Sequence, residues 1–92
     1  MKIKSGFEVT QSEYGLYIAR AVGERAEEFP NAIQMGLSGA YLWDQLSKGD
    51  PDRAALIYGL ESLYEFSAGT DQVAADVDMF LGFLRENGLL EE

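Results

Sequence analysis

An apolar stripe in the last third of the chain is the strongest constraint on how the sequence folds. Within residues 70–90, apolar side chains recur at the three- and four-residue spacing of one helix face: Val73, Val77, Phe80, Leu81 and Leu84. Gly88 follows where such a helix should stop, because glycine accepts the left-handed conformation common at helix C-termini. The pattern predicts a core helix over about residues 71–87.

Two further apolar side chains of this helix lie beside the stripe. Met79 and Phe83 are one turn apart, and at about 100° per residue they fall off the core face. Three interpretations remain open at this point. The pair widens the core by packing on a sheet or on Trp43, lines a groove for a peptide, or forms a self-association patch.

The first third of the chain is predicted to form three strands. Apolar and polar residues alternate over about residues 6–11, β-forming residues are dense over 16–21, and a short run at 32–35 completes the sheet. Glu13-Tyr14-Gly15 has the composition of a turn between the first two strands. Residues 22–31 are expected to form an exposed loop, because they hold four charged side chains, a glycine and a proline.

Two helices are predicted between the strands and the last helix, over about residues 39–47 and 51–66. Ser38 is expected to cap the first, and Asp50 the second, with Pro51 at the first helical position. The apolar side of the second helix comprises Leu56, Ile57, Leu60, Leu63 and Tyr64. Three strands followed by three helices favour an α+β fold, with an N-terminal three-stranded antiparallel sheet, over a parallel α/β sheet.

The composition removes most catalytic chemistry. The 92 residues include neither histidine nor cysteine, which excludes the commonest general base, thiolate metal ligands and every nucleophile–histidine pair. Asp76 and Asp78 are two residues apart on a helix and therefore face different ways, which argues against an acid–base pair. We expect no enzymatic activity, no catalytic residue, no metal site and no cofactor.

Charge and hydropathy narrow the partners. The net charge of −9, with seven dispersed lysines and arginines, disfavours binding to nucleic acid. The basic start, Met1 to Lys4, leads into Ser5-Gly6 rather than an apolar run, and no segment approaches the roughly 20 apolar residues of a membrane span. We therefore expect a cytoplasmic protein that contacts no membrane.

Two strings of residues resemble those of the PqqD-like family. Gly39-Ala40-Tyr41-Leu42-Trp43-Asp44-Gln45-Leu46 resembles the family pattern G-A-x-(I/L)-W-x-x-L. Asp76-Val77-Asp78-Met79-Phe80-Leu81, continued by Leu84 and Gly88-Leu89-Leu90, is similar to D-V-x-x-F-L-x-x-L-x-x-x-G-L-L. The opening residues 1–7 and Val22-Gly23-Glu24-Arg25-Ala26 are similar to a stand-alone subset of the family. The resemblance covers nearly the whole chain.

This resemblance implies a single peptide-recognition domain over residues 1–92, with a winged-helix-like fold in which a three-helix bundle follows the sheet. Such domains recognise precursors of ribosomally synthesised, post-translationally modified peptides. The leader segment of the precursor adds as a strand to the edge of the third strand, enters a groove beside the third helix, and is delivered, as by a chaperone, to a modifying enzyme, often a radical SAM protein. Carried onto this chain, the peptide-binding residues are Ala32, Ile33, Gln34, Met35, Asp76, Met79, Phe80 and Phe83.

The chain departs from the family pattern at two places. Met35-Gly36-Leu37-Ser38 stands where the family usually has L-N-E/x-T/S, and Met79 and Phe83 stand where small or polar residues are usual. The second departure predicts a ligand preference particular to this protein.

The favoured hypothesis is a non-catalytic adaptor that binds a leader peptide and presents it to a modifying enzyme. One alternative is a winged-helix DNA-binding regulator, although the last helix carries four acidic residues against Arg85 alone: Asp71, Asp76, Asp78 and Glu86. Another is a structural or dimerisation subunit of a biosynthetic complex, in which the Met79–Phe83 flank joins a homodimer or contacts the enzyme.

Overall fold

The computed structural model of the chain describes residues 1–63 and 70–91. The strands in these ranges are β1 (Lys2–Ile3), β2 (Phe7–Gln11), β3 (Tyr17–Ala21), β4 (Ile33–Met35) and β5 (Leu90–Glu91). The helices are α1 (Arg25–Glu28), α2 (Leu37–Lys48), α3 (Arg53–Leu63) and α4 (Thr70–Glu86). The α+β class is confirmed, with β2, β3 and β4 forming the predicted three-stranded antiparallel sheet.

The sheet places β3 in the centre and leaves β4 at an edge. The turn between β2 and β3 is where the sequence predicts it: the Ser12 hydroxyl accepts hydrogen bonds from the backbone N–H groups of Tyr14 (3.3 Å) and Leu16 (3.2 Å). Among the described strands, β4 pairs with β3 alone. One side of β4 is therefore available for a further strand.

Every buried residue in the described part of the chain is apolar. The buried side chains are Ile3, Ala19, Met35, Leu42, Trp43, Leu46, Leu56, Leu60, Val73, Val77, Leu81, Leu84 and Leu89. The stripe predicted for the last helix thus faces the core, where full burial of a valine or leucine contributes about 1.5–3 kcal/mol. Phe80 is half-buried at the edge of the stripe.

The C-terminus of α4 has the predicted glycine stop. Gly88 has φ of +71°. Its N–H donates to the Arg85 carbonyl (3.1 Å), and the Leu89 N–H donates to the Leu84 carbonyl (2.9 Å), which are the two bonds of a Schellman motif. Leu89 is thereby folded back into the core, with 1% of its surface exposed.

Both predicted N-caps are wrong. α2 begins at Leu37 rather than residue 39, with Gly36 as the cap residue and no capping side chain. α3 begins at Arg53, and its cap is Asp52, whose carboxylate accepts a hydrogen bond from the Ala55 N–H (2.8 Å). Asp52 stands three residues before the donor, as a capping side chain must, whereas Asp50 contacts the Met1 amino group instead.

The segment predicted as a loop and the end of α3 also differ from expectation. Residues 22–31 contain the one-turn helix α1, which buries none of its residues. Leu63, predicted on the buried side of α3, is 41% exposed. The last part of the predicted helix, residues 64–66, lies outside the described residues, as does the predicted burial of Tyr64.

A second, two-stranded sheet joins the two ends of the described chain. β1 pairs antiparallel with β5, so that Ile3 lies opposite Leu90, and the Lys4 N–H donates to the Leu89 carbonyl (3.0 Å). The sequence did not predict this pairing, because strands of two residues are too short to show an alternating pattern. The pairing positions Ile3 in the core beside the end of α4.

Candidate functional site

A groove of about 460 Å³ lies between β4, the start of α2 and α4. We refer to it below as the β4–α4 groove. Its lining residues are Ile33, Gln34, Met35, Gly36, Ser38, Gly39, Leu42, Asp76, Met79, Phe80 and Phe83. The lining is mostly apolar, with one ionisable side chain, Asp76.

Gly39 allows the floor of the groove to close. A Cβ atom at this position would lie 3.3 Å from the Cβ of Met35 and 3.3 Å from Cε1 of Phe80, tighter than an ordinary van der Waals contact. Because glycine has no side chain, the first turn of α2 can approach both residues. Met35 and Phe80 both line the groove beside Gly39, and we refer to these two side chains as its floor.

The register of the sheet determines which backbone groups of β4 face the groove. In the β2–β3 pair, the Ser12 N–H donates to the Leu16 carbonyl (2.7 Å) and the Val22 N–H to the Gly6 carbonyl (2.8 Å). The even-numbered residues of β3 therefore direct their N–H and C=O groups toward β2. The N–H and C=O groups of the odd-numbered residues of β3 are therefore directed toward β4. Tyr17 lies opposite Met35 and Ala19 opposite Ile33. These residues share the β3–β4 hydrogen bonds, and Gln34 directs its N–H and C=O away from the sheet.

The wall opposite β4 is one face of α4. Met79 is 74% exposed and Phe83 is 41% exposed, which excludes the interpretation that both side chains pack in the core. Asp76 is half-buried and accepts a hydrogen bond from the Gln72 amide nitrogen (3.0 Å). The exposed apolar surface of Met79 and Phe83 favours binding of another molecule, because its removal from water lowers the free energy.

Asp78, two residues from Asp76, faces away from the groove toward α3. It forms a two-pronged ion pair with Arg53, with the Nε–Oδ1 distance 2.7 Å and the Nη2–Oδ2 distance 2.9 Å. The hydrogen bonds from the Arg53 guanidinium hold the pKa of the Asp78 carboxyl below its usual value. The predicted divergence of the two aspartates is thus observed, and only Asp76 lines the groove.

Seven of the eight residues predicted to bind peptide line the groove. Ala32 lies in an adjoining depression of about 430 Å³, which shares Ile33, Gln34 and Phe83 with the groove and extends it toward Phe29. Four lining residues were not predicted from the sequence: Gly36, Ser38, Gly39 and Leu42. The first three closely follow β4 and Leu42 comes one helical turn later, so their closeness in sequence to the predicted strand was the available signal.

The chemistry available in the groove is recognition through apolar contacts and backbone hydrogen bonds. Across residues 1–63 and 70–91, no three carboxylates come together as a metal site. Within the same ranges, no helix is long and apolar enough to cross a membrane.

Comparison with known proteins gives a family and a similar fold. A comparison with curated proteins gives no match. A solved structure of TbiB1 in complex with the TbiA(beta) leader peptide is similar in fold, with a TM-score of 0.71, 18% sequence identity, and coverage of 99% of this chain and 95% of that chain. The family model of coenzyme PQQ synthesis protein D matches residues 12–90. The resemblance seen in the sequence is thereby confirmed, and the chain belongs to the PqqD family.

Proposed function

We propose that this protein is a non-catalytic adaptor that binds the leader segment of a precursor peptide in the β4–α4 groove. The single observation that carries the proposal is the position of an apolar groove directly beside the edge of β4 that pairs with no described strand. Membership of the PqqD family supports it, as does the likeness in fold to TbiB1, whose solved structure contains a leader peptide.

Strand addition is the binding mode that best fits this geometry. The N–H and C=O of Gln34 point outward and provide one hydrogen-bond donor and one acceptor to an incoming strand. Alternate side chains of that strand then point toward Met79, Phe80 and Phe83. Ala32, Ile33 and Met35 set the edge along which the strand lies.

Apolar anchors and main-chain hydrogen bonds together set the affinity that we expect. Two or three buried apolar side chains contribute about 1.5–3 kcal/mol each, against the cost of ordering the peptide and of association. The anchors thus offset that cost, and the main-chain hydrogen bonds of strand addition supplement them; we expect micromolar to high-nanomolar binding, about −8 to −10 kcal/mol. Such affinity suits a domain that must release the peptide after modification.

A backbone amide NMR titration tests the proposal. The probes are synthetic leader halves of short peptides encoded next to the gene, added to the full chain. We expect chemical-shift changes concentrated in residues 31–36 and 76–83. An absence of shifts at millimolar peptide, with a monomer–dimer equilibrium that involves Met79 and Phe83, would favour the dimerisation subunit instead.

The adaptor role requires a modifying enzyme as second partner, which the family resemblance implies is often a radical SAM protein. We expect the enzyme encoded beside this protein to modify its precursor faster when the adaptor is present. Groove variants that lose peptide binding should lose this stimulation, since delivery depends on capture of the leader. Unchanged modification without the adaptor would contradict the delivery role while leaving peptide binding intact.

The alternative of a DNA-binding regulator has little support. The α4 helix places the carboxylate of Asp76 in the groove. The neighbouring cation on α3, Arg53, is paired with Asp78 of α4. A net charge of −9 adds long-range repulsion from duplex DNA. Salt-sensitive binding to duplex DNA at low ionic strength would be required to revive this function.

A further inference from the structure

Among the described residues that line the groove, Asp76 is the one ionisable side chain. The other lining residues are apolar side chains, glycines, Ser38 and Gln34. The hydrogen-bond partner of Asp76 is the neutral amide of Gln72, and no ion pair among the described residues includes Asp76. The half-buried position of Asp76 strengthens its interaction with any cation placed in the groove.

The opposite end of the groove differs in charge. The adjoining depression contains Glu28, but this carboxylate is paired with Arg25 (3.1 Å) and lies 3.8 Å from the Lys4 ammonium nitrogen. Its charge is therefore already balanced by two cations. The uncompensated negative charge of the groove is thus concentrated at the Asp76 end, which gives the groove an electrostatic polarity.

The spacing of the groove residues matches that of a strand. Asp76 and Phe80 are four residues apart on α4, a rise of about 6 Å at 1.5 Å per residue. Side chains on the same face of a strand are two residues, about 6.6–6.8 Å, apart. A strand that runs along α4 and places one side chain against Asp76 therefore places the next side chain of that face near Phe80.

We propose that the leader segment recognised by this groove carries a lysine or arginine that pairs with Asp76, separated by one residue from an apolar side chain that contacts Phe80 and Phe83. This inference rests on the proposed peptide-binding function and specifies its ligand. An acidic residue at the same position would meet Asp76 on a protein of net charge −9, and both effects oppose binding. Asp76 thus selects the charge of the peptide side chain, whereas Phe80 and Phe83 provide its apolar contact.

A selection experiment tests the inference without knowledge of the natural precursor. A displayed library of random ten-residue peptides is selected in parallel against the wild-type chain, Asp76→Asn, Asp76→Lys and Glu86→Gln. Glu86 is exposed on the last turn of α4 and lines neither the groove nor its extension, so Glu86→Gln removes one negative charge as a matched control. Thermal unfolding verifies that each variant folds.

We expect the wild type and Glu86→Gln to enrich lysine or arginine at one position and an apolar residue two positions away. Asp76→Asn should keep the apolar preference and lose the basic one, and Asp76→Lys should enrich aspartate or glutamate instead. The best wild-type peptide should bind Asp76→Asn about three- to tenfold more weakly, the range expected for loss of a partly buried charged hydrogen bond.

Two results would overturn the inference, and they are distinguishable. If the wild type and Asp76→Asn enrich peptides with the same charge preference, Asp76 does not select the charge of the peptide. The proposed peptide-binding function would be unaffected by that result. No enrichment above background with the wild type would contradict the proposed function and, with it, the inference.

Discussion

The Phe80 ring lies close to Gly39 at the floor of the β4–α4 groove, where a Cβ on Gly39 would be 3.3 Å from Cε1 of Phe80. The same Cβ would lie 3.3 Å from the Cβ of Met35. The absence of a side chain at Gly39 therefore allows α2 to approach both α4 and β4. The family pattern G-A-x-(I/L)-W begins at this glycine. Its physical role here is close approach of a helix to the groove floor.

Gly39→Ala should therefore gain less stability than a matched glycine substitution elsewhere. A Cβ atom on Gly82, in α4, would have no neighbouring atom within 4 Å, so Gly82→Ala should stabilise by about 0.5–1 kcal/mol through helix propensity. In Gly39→Ala this gain is offset by displacement of Met35 and Phe80. Urea unfolding and the NMR signals of the Phe80 ring measure the two effects. Equal gains with unmoved Phe80 signals would contradict the close approach.

Phe83 and Leu84 are neighbours with opposite roles, and alanine substitutions should separate them. Leu84 has 0% of its surface exposed, so Leu84→Ala should cost about 2–5 kcal/mol of unfolding free energy. Phe83 is 41% exposed, so Phe83→Ala should cost about 1 kcal/mol and weaken peptide binding about tenfold. Urea denaturation and a peptide titration provide the comparison. If Phe83→Ala unfolds the domain and spares affinity per folded molecule, Phe83 belongs to the core.

The ion pair between α3 and α4 predicts a pH dependence. Arg53 lowers the pKa of Asp78 below its ordinary value of 3.8, so the pair stabilises the fold above that pH and the contribution is lost as pH falls through the lowered pKa. Asp78→Asn should thus be less stable than the wild type at pH 7, with a difference that shrinks below about pH 3.8. Both side chains are exposed, so 1 M salt should also reduce the difference.

A double-mutant cycle provides the control for this pair. In an Arg53→Gln background, Asp78→Asn should have a much smaller effect at each pH, because the main partner of Asp78 is already absent and the weaker charge interaction with Arg85 remains. An equal loss of stability in both backgrounds would attribute the effect of Asp78 to something other than Arg53.

The sequence predicted the elements that carry a long periodic signal. The stripe from Val73 to Leu84 spans three turns, and Gly88 marks its end, so both were correct. Asp76, Met79 and Phe83 were recognised as groove residues through the family pattern, since periodicity alone placed Met79 and Phe83 off the core and left three interpretations open. The exposure of Met79 decided against the core.

The features that the sequence did not predict depend on local choice or on distant pairing. Asp50 and Asp52 flank the same proline, and only the position of the Ala55 N–H decides which one caps α3. The β1–β5 pairing joins residues at opposite ends of the chain over two residues each, which leaves no local pattern to detect. The role of Gly39 likewise depends on Phe80, which is distant in sequence.

Gln34→Pro should abolish peptide binding while the sheet remains intact. The register directs the Gln34 N–H away from β3, so a proline at this position removes no hydrogen bond of the β3–β4 pair. It does remove the outward donor, and its ring occupies the edge where a strand would add. We expect a loss of affinity of at least tenfold, measured by peptide titration, with the amide shifts of β2 and β3 retained.

The matched control for this substitution is Gln34→Ala, which removes the exposed side chain and keeps the N–H. It should bind peptide within about threefold of the wild type, because strand addition depends on backbone groups rather than on this side chain. Equal losses in both variants would assign the contact to the Gln34 amide side chain. Full binding by Gln34→Pro would mean that the peptide occupies the β4–α4 groove without pairing to the edge of β4, through apolar contacts with Met79, Phe80 and Phe83 alone.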